Sequence, residues 1–184
     1  FLASALPQSL TRWYWDKEYA GRQKGLFFMT FATQVVVAAV FCLVLIPLSE
    51  NISLMVFPGP DWSKVITWVI LASAIQSVNN IVNSLMRLQS KPVLYTLTNL
   101  SKLTLVLLLT VYFIVNRRMG LEGIFLAQVI GNAAVVIMLS GYVAKNSVIY
   151  FNPVLFRSMN AYGFPLFVAN ISAVLLNVID RYAL

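Results

Sequence analysis

Lys102 is the residue whose type and position most clearly suggest chemistry. It lies nine residues after Val93 in a long apolar run, and Tyr95 and Asn99 share its helical face at spacings of i, i+4 and i+7. If the run crosses a membrane, Lys102 is ~13 Å deep, near the middle of a ~30 Å hydrocarbon core. A lysine there costs about 2.5–3.5 kcal/mol on insertion scales. No acid lies at similar depth in the neighbouring runs. We therefore predict a cation that attracts an anionic group, with a structural ion pair as the alternative.

A second set of polar residues lies in the apolar run that precedes Lys102. The offsets from Gln76 are 3, 4, 7 and 11, which fall on one face of a helix. The members are Gln76, Asn79, Asn80, Asn83 and Arg87. Amides in hydrocarbon need partners. This face therefore predicts either a water-filled cavity for a substrate or hydrogen bonds between helices.

Charged residues also mark the two ends of the sequence. Arg12 precedes an aromatic cluster at 13–15, so it suits either an interfacial anchor or a gate for substrate. Asp180 and Arg181 close the last apolar run, where they suit either an anchor or a cavity. Because they are adjacent, the two side chains cannot share one helical face.

The residues that are missing exclude several kinds of protein. The sequence has no histidine and one cysteine, Cys42, which argues against a metal cluster, Ser-His or Cys-His catalysis and a disulfide framework. We expect no cofactor and no enzymatic activity. The net charge is +7, but the basic residues lie mostly between apolar runs. Membrane topology explains them better than nucleic-acid binding does.

These residues must be positioned by helices in a membrane. Of the 184 residues, 60% are apolar and 10% are charged, which is too apolar for a soluble fold of this size. The predicted fold is all-α, a polytopic transmembrane helix bundle. Runs of about 20 apolar residues predict spans at 25–46, 65–86, 93–115 and 121–144, and a fifth that starts near Tyr162. Residues 145–160 predict a short amphipathic helix or a tethering loop.

The spans should bring the candidate residues together. A short loop joins the second and third spans, so we expect them to pack antiparallel. Their polar faces would then enclose one aqueous volume, with Arg12 and Arg87 at its rim. The residues predicted to line it are Gln76, Asn80, Asn83, Asn99 and Lys102.

Basic residues predict the orientation. Alternate loops hold eight of them, and the opposite side holds four. The richer loops should face the cytoplasm. These eight are Arg12, Lys17, Arg22, Lys24, Arg87, Lys91, Lys145 and Arg157.

Four stretches in order carry a family resemblance. They are Ala5 and Leu6 followed by Arg12, the segment KPVLY at 91–95, the segment GLEGI at 120–124, and YGFPL at 162–166 with its later Asp-Arg pair. In this order the chain resembles the oligosaccharide and polysaccharide flippases of the multidrug/oligosaccharidyl-lipid/polysaccharide exporter superfamily.

The resemblance implies a piece of a larger transporter. It implies that the chain covers the end of the second span to the seventh span of a two-lobed protein with twelve to fourteen spans. Residues 1–144 would belong to the N-terminal lobe, 145–160 would form the cytoplasmic connector, and 161–184 would begin the second lobe. The implied substrate is an oligosaccharide on a polyprenyl diphosphate carrier lipid, moved across the cytoplasmic membrane by alternating access. The sugar, the identity of the carrier lipid and any coupling ion stay open.

Three other functions compete with this one. A cation-coupled multidrug exporter of the same superfamily would need an acid within the membrane. A membrane glycosyltransferase or polysaccharide ligase would need a large polar loop, whereas the longest loop, roughly 47–64, holds only Glu50, Asp61 and Lys64. A structural partner subunit would not need the long polar faces.

Overall fold

The computed structural model describes residues 2–16, 21–56 and 62–183, and the described residues form helices without strands. The helices are α1 (Leu2–Tyr14), α2 (Gln23–Leu45), α3 (Ser49–Val56), α4 (Ser63–Leu88), α5 (Pro92–Val111), α6 (Leu121–Asn146) and α7 (Pro153–Ala183). A π-helical turn, Tyr112–Asn116, extends α5. The predicted all-α class is confirmed.

Four of the described helices are long and apolar enough to cross a membrane. They are α2, α4, α6, and α5 with its π turn, with mean hydropathies of 1.6–2.3 over the best windows. Their bounds lie close to the predicted spans because Pro92, in the first turn of α5, and Gly120, just before α6, punctuate the apolar runs. The chain is a multi-pass helical membrane protein.

The last helix begins earlier than we predicted. α7 starts at Pro153 rather than near Tyr162, so it runs without a break through the expected boundary at 160/161. Asn152 Oδ1 accepts hydrogen bonds from the backbone N–H groups of Val154 (3.0 Å) and Leu155 (3.3 Å), which caps the helix. The connector between α6 and α7 is therefore only 147–152, and Pro165 lies inside α7. A second difference is α3, which replaces a stretch of the expected loop.

The connector is fixed against the start of α2. Tyr150 lies directly over Gly25, where an added Cβ would come within 2.7 Å of the Tyr150 Cβ. Arg22 donates a hydrogen bond to the Tyr150 hydroxyl at 3.4 Å. A glycine is needed at position 25 because no larger residue leaves room for this ring.

Helix α4 occupies the centre of the bundle and packs on α2, α6 and α1, while α5 packs mainly on α6. Outward, α5 presents a row of exposed leucines that includes Leu100, Leu103 and Leu107. Such a face suits contact with lipid. The first half of α7 packs on α1, where Ser9 Oγ donates to the Met159 carbonyl at 3.2 Å.

Polar side chains tie the helices together at one end. Gln89 Nε2 donates to Asn146 Oδ1 (2.8 Å) and to the Tyr14 hydroxyl (3.4 Å), and the Tyr142 hydroxyl donates to Gln89 Oε1 (2.8 Å). We call Gln89, Tyr14, Tyr142 and Asn146 the end junction. Lys91 lies over the Tyr142 ring at 5.0 Å. The junction brings three of the predicted basic segments to the same end of the bundle.

Candidate functional site

Lys102 reaches across to two other helices. Its Nζ donates a hydrogen bond to Gln76 Oε1 of α4 at 2.7 Å and to Asn132 Oδ1 of α6 at 3.3 Å. Lys102 is partly buried. The ammonium group thus lies where three membrane-crossing helices meet, and it contacts amide oxygens of the two neighbouring helices.

The three residues lie at matching depths. Gln76 is the fourteenth of the 26 residues of α4, and Asn132 is the twelfth of the 26 residues of α6. Lys102 is the eleventh of the 25 residues of Pro92–Asn116. Each residue is therefore near the middle of its span, so the contact between them lies near the middle of the hydrocarbon core.

Two further amides complete the cluster. Gln76 Nε2 donates to Asn80 Oδ1 at 3.0 Å, which turns the Gln76 oxygen toward the lysine. Asn79 Nδ2 donates to the Asn132 carbonyl oxygen at 3.1 Å. Asn132 Nδ2 in turn donates to the Ala72 carbonyl at 3.4 Å. We call Lys102, Gln76, Asn80, Asn132 and Asn79 the central junction.

Gly131 allows α5 to approach α6 at the central junction. A Cβ at position 131 would collide with Val106 Cγ2 and would lie 4.0 Å from the Lys102 carbonyl oxygen. Gly123 has the same role in the first turn of α6, where a Cβ would come within 2.8 Å of the Phe113 Cβ. Small residues permit such close helix packing in membranes. Both glycines are therefore close-packing positions between α5, with its π turn, and α6.

The charge of Lys102 is not neutralised by any carboxylate in the described residues of the chain. Helices α4 and α5 contain no acidic residue, and Glu122 of α6 precedes Asn132 by ten residues, ~15 Å along the axis. An ammonium group has three donors. Amide oxygens take two of them, which leaves one N–H and a full positive charge available to a ligand.

Only some of the residues predicted to line one volume between α4 and α5 lie in contact with one another. Lys102, Gln76 and Asn80 come together, but Asn99 Nδ2 turns back to the Tyr95 carbonyl of its own helix at 2.8 Å. The side chain of Asn83 forms no hydrogen bond with any described residue. The reason is that α5 packs mainly on α6, so the polar face of α5 meets α6 as well as α4.

The two predicted rim arginines lie away from the central junction. Arg87 is exposed, eleven residues or ~16 Å along α4 from Gln76, and it donates to Ser84 Oγ at 3.1 Å. Arg12 is also exposed, 4.6 Å from the centre of the Tyr162 ring. This contact joins α1 to α7. The side chains of Asp180 and Arg181 lie outside the described residues.

Among the cavities that the described residues form are two beside α2 and α4, and Lys102 lines neither of these two. The smaller, of about 390 Å³, lies between α2, α4 and α6 and includes Asn79, whose Oδ1 is buried without a hydrogen-bond partner among the described residues. The larger, of about 700 Å³, lies between α2, α4 and the middle of α7. Both have predominantly apolar walls.

The sequence analysis did not include Asn132 among the candidate site residues. Its partner Lys102 is thirty residues away on another helix, so no spacing rule within one helix could pair them. A signal was nevertheless present, because Gly131 and Asn132 place a close-packing residue beside a polar one in the middle of a span.

Comparison of the chain with protein-family models, with curated proteins and with solved structures found no match. The likeness to oligosaccharide flippases therefore stays a prediction from the four sequence stretches.

Proposed function

We propose that the chain belongs to a transporter that moves an anionic lipid-linked oligosaccharide across the cytoplasmic membrane. In this proposal the diphosphate of a polyprenyl carrier binds Lys102 at the central junction. The observation that supports it is the position of an ammonium group at the middle of three spans, hydrogen-bonded to neutral amides alone among the described residues.

The electrostatics favour an anion. A charge in a low-dielectric interior attracts an opposite charge far more strongly than it does in water. Lysines within membrane spans are expensive and commonly mark the path of a substrate. Gln76 and Asn132 hold the ammonium group in place without cancelling its charge, so an incoming phosphate oxygen finds both a fixed donor and an unpaired cation.

The arrangement is less suited to a drug exporter. Such a protein would attract cationic drugs with a carboxylate, whereas the described residues of α2, α4 and α5 include no acid and α6 holds one only in its first turn. The choice of a lipid-linked oligosaccharide rests on the sequence resemblance. Alternating access of two lobes would carry the bound headgroup from one side of the membrane to the other.

The charged end of the bundle supports the proposed orientation. At the end junction, Lys91 and the last turns of α6 lie close to Tyr14. Arg12 is two residues before Tyr14, so basic segments of three helices lie at this end of the bundle. Basic residues favour the cytoplasmic side. A diphosphate headgroup would then be drawn toward this end by charge before it reaches Lys102.

The test replaces Lys102 in the transporter expressed with all of its spans. Lys102→Ala should reduce polysaccharide on the cell surface at least tenfold, because it removes the charge that binds the diphosphate. Lys102→Arg should retain more export, since it keeps the charge although its hydrogen-bond geometry differs. The matched control is Lys64→Ala, which removes an exposed lysine in the first turn of α4.

Surface polysaccharide and the amount of protein in the membrane are measured together. The proposal requires that export by Lys102→Ala falls at normal abundance while Lys64→Ala exports normally. Normal export from a well-expressed Lys102→Ala protein contradicts it. Equal loss of abundance in Lys102→Ala and Lys102→Arg would show that the lysine is purely structural.

A further inference from the structure

The connector between α6 and α7, together with the first turn of α7, exposes a group of apolar side chains at the end of the bundle. The exposed fractions are 88% for Ile149, 73% for Val154, 66% for Phe151 and 53% for Val148. Single exposed apolar residues are ordinary on any protein, whereas an apolar patch marks a surface that contacts something else. Four such residues within 148–154 therefore need a partner.

The contacts of the connector fix its height relative to the membrane. It follows Asn146, the last residue of α6, and the backbone N–H of Val148 donates to the Lys24 carbonyl at 3.4 Å. Tyr150 packs over Gly25, the third residue of α2. Because α2 and α6 are both long and apolar enough to cross the membrane, the connector lies level with the ends of two spans. The exposed apolar side chains are thus at the surface of the bilayer.

The start of α7 has two different faces. Leu155 and Met159 are buried on one face, and this half of the helix packs on α1. Val154 and Arg157, three residues apart, are exposed on the opposite face. The outward face therefore combines an apolar residue with a basic one, a pattern that suits a helix lying against a lipid headgroup layer.

Exposed basic residues border the apolar patch on both sides. The guanidinium group of Arg22 donates to the Tyr150 hydroxyl at 3.4 Å, which holds this cation against the connector. Asp16 is the acidic residue described at this end of the bundle. The four basic residues that border the patch are Arg22, Lys24, Lys145 and Arg157. We call these four, with Val148, Ile149, Phe151 and Val154, the connector surface.

We propose that the connector surface docks on the bilayer leaflet at this end of the bundle and selects anionic phospholipids. Its apolar side chains would enter the boundary between headgroups and acyl chains, while its basic side chains contact the phosphate groups. A zwitterionic lipid would match the apolar part but would give the excess of positive charge no counter-charge. The connector surface is separate from Lys102, so this lipid contact does not depend on what the protein transports.

The experiment measures which lipid surrounds the connector surface. In the Cys42→Ala protein, Ile149→Cys supplies a single site for a fluorophore. The bilayers contain phosphatidylglycerol and phosphatidylcholine, and one lipid or the other carries bromine quenchers on its acyl chains at increasing mole fraction. The affinity for phosphatidylglycerol should exceed that for phosphatidylcholine at least about fivefold, the factor that one basic residue near an anionic surface contributes. Leu103→Cys on the leucine face of α5 is the matched control, where both lipids should quench equally.

Removing two of the charges tests the origin of the preference. Lys145→Gln combined with Arg157→Gln should lower the preference for phosphatidylglycerol at position 149 at least about threefold. Lys64→Gln removes an exposed lysine at the opposite end of α4 and should leave the preference unchanged. The comparison of the two lipids in the Ile149→Cys protein decides the outcome even if the charge variant is poorly produced.

Four results would overturn the proposal. Two are equal quenching by both lipids at position 149 and an undiminished preference after both charges are removed. A third is quenching by aqueous iodide but by neither lipid, which would place the connector in water. The fourth is protection from iodide and from both lipids, which would show that a protein segment covers the connector surface.

Discussion

The central junction and the end junction are built from similar amide side chains, but they differ in whether a charge is left for a ligand. At the end junction both kinds of Gln89 amide atom are used, since Oε1 accepts from Tyr142 and Nε2 donates to Asn146 and Tyr14. At the central junction the amides of Gln76 and Asn132 meet a cation whose charge stays unbalanced within the described residues. The neutral end junction presents no charge to a ligand. The central junction presents a fixed positive charge that no described carboxylate balances.

The difference in depth strengthens this contrast. The end junction lies just past the last turn of α4, where water and lipid headgroups can solvate polar atoms. The central junction lies near the middle of its spans, where every unmet polar group is expensive. An open donor at that depth therefore indicates a function, because the fold alone would be more stable without it.

Separating α5 from α6 should have the largest effect on stability and on export, because it disrupts the central junction. Gly131→Leu would place a side chain where Val106 packs, and such overpacking costs about 1–3 kcal/mol in the free energy of unfolding. It should also move Lys102 away from Asn132 and reduce export. Gly141→Leu is the control on the same helix, since no atom lies within 4 Å of a Cβ there.

Thermal unfolding in detergent and export in cells measure the two consequences. We expect a loss of stability in Gly131→Leu and nearly unchanged stability in Gly141→Leu. Equal stability of the two variants would mean that the close approach of α5 to α6 does not hold the central junction together.

A smaller effect on stability is expected from removing the end junction. Gln89→Leu breaks the bonds to Tyr142, Asn146 and Tyr14 and should lower the free energy of unfolding by roughly 1–2 kcal/mol. Export per molecule of membrane protein should stay normal, because Lys102 is untouched. Gln128→Leu is a matched control, since the side chain of Gln128 forms no hydrogen bond with any described residue. Loss of export at normal abundance in Gln89→Leu would show that the contrast between the two junctions is wrong.

The smallest effect should come from Asn83. It belongs to the polar face of α4, but its side chain makes no hydrogen bond with the described residues, so Asn83→Ala should change stability by less than ~0.5 kcal/mol. Asn80→Ala should have the greater effect on export, since Asn80 orients Gln76 toward Lys102. Export that depends on Asn83 as strongly as on Asn80 would instead favour a cavity that extends along the whole polar face.

The sequence predicted the spans well because the bilayer imposes simple limits on them. Apolar runs must be about 20 residues long, and Pro92 and Gly120 mark where two of them begin. The start of α7 was missed although Asn152 followed by Pro153 is a standard helix-start signal. Charged and polar residues interleaved at 153–160 obscured it.

The candidate site was predictable only within each helix. Helical spacing correctly placed Gln76 and Asn80 on one face of α4, and the isolated charge singled out Lys102. Which helices then meet depends on side-chain size at distant positions, such as Gly131 against Val106. Spacing along one helix contains no information about that contact, so Asn132 could not be paired with Lys102 in advance.

The hydrogen bonds of Lys102 also bear on the order in which the helices assemble during biosynthesis. On its own, α5 carries a lysine into hydrocarbon at a cost of about 2.5–3.5 kcal/mol. Gln76, the acceptor at 2.7 Å, belongs to the helix made before α5, and Asn132, the acceptor at 3.3 Å, belongs to the helix made after it. When α5 is synthesised, the helix with the closer acceptor has therefore already been made, and α6 supplies the second acceptor afterwards.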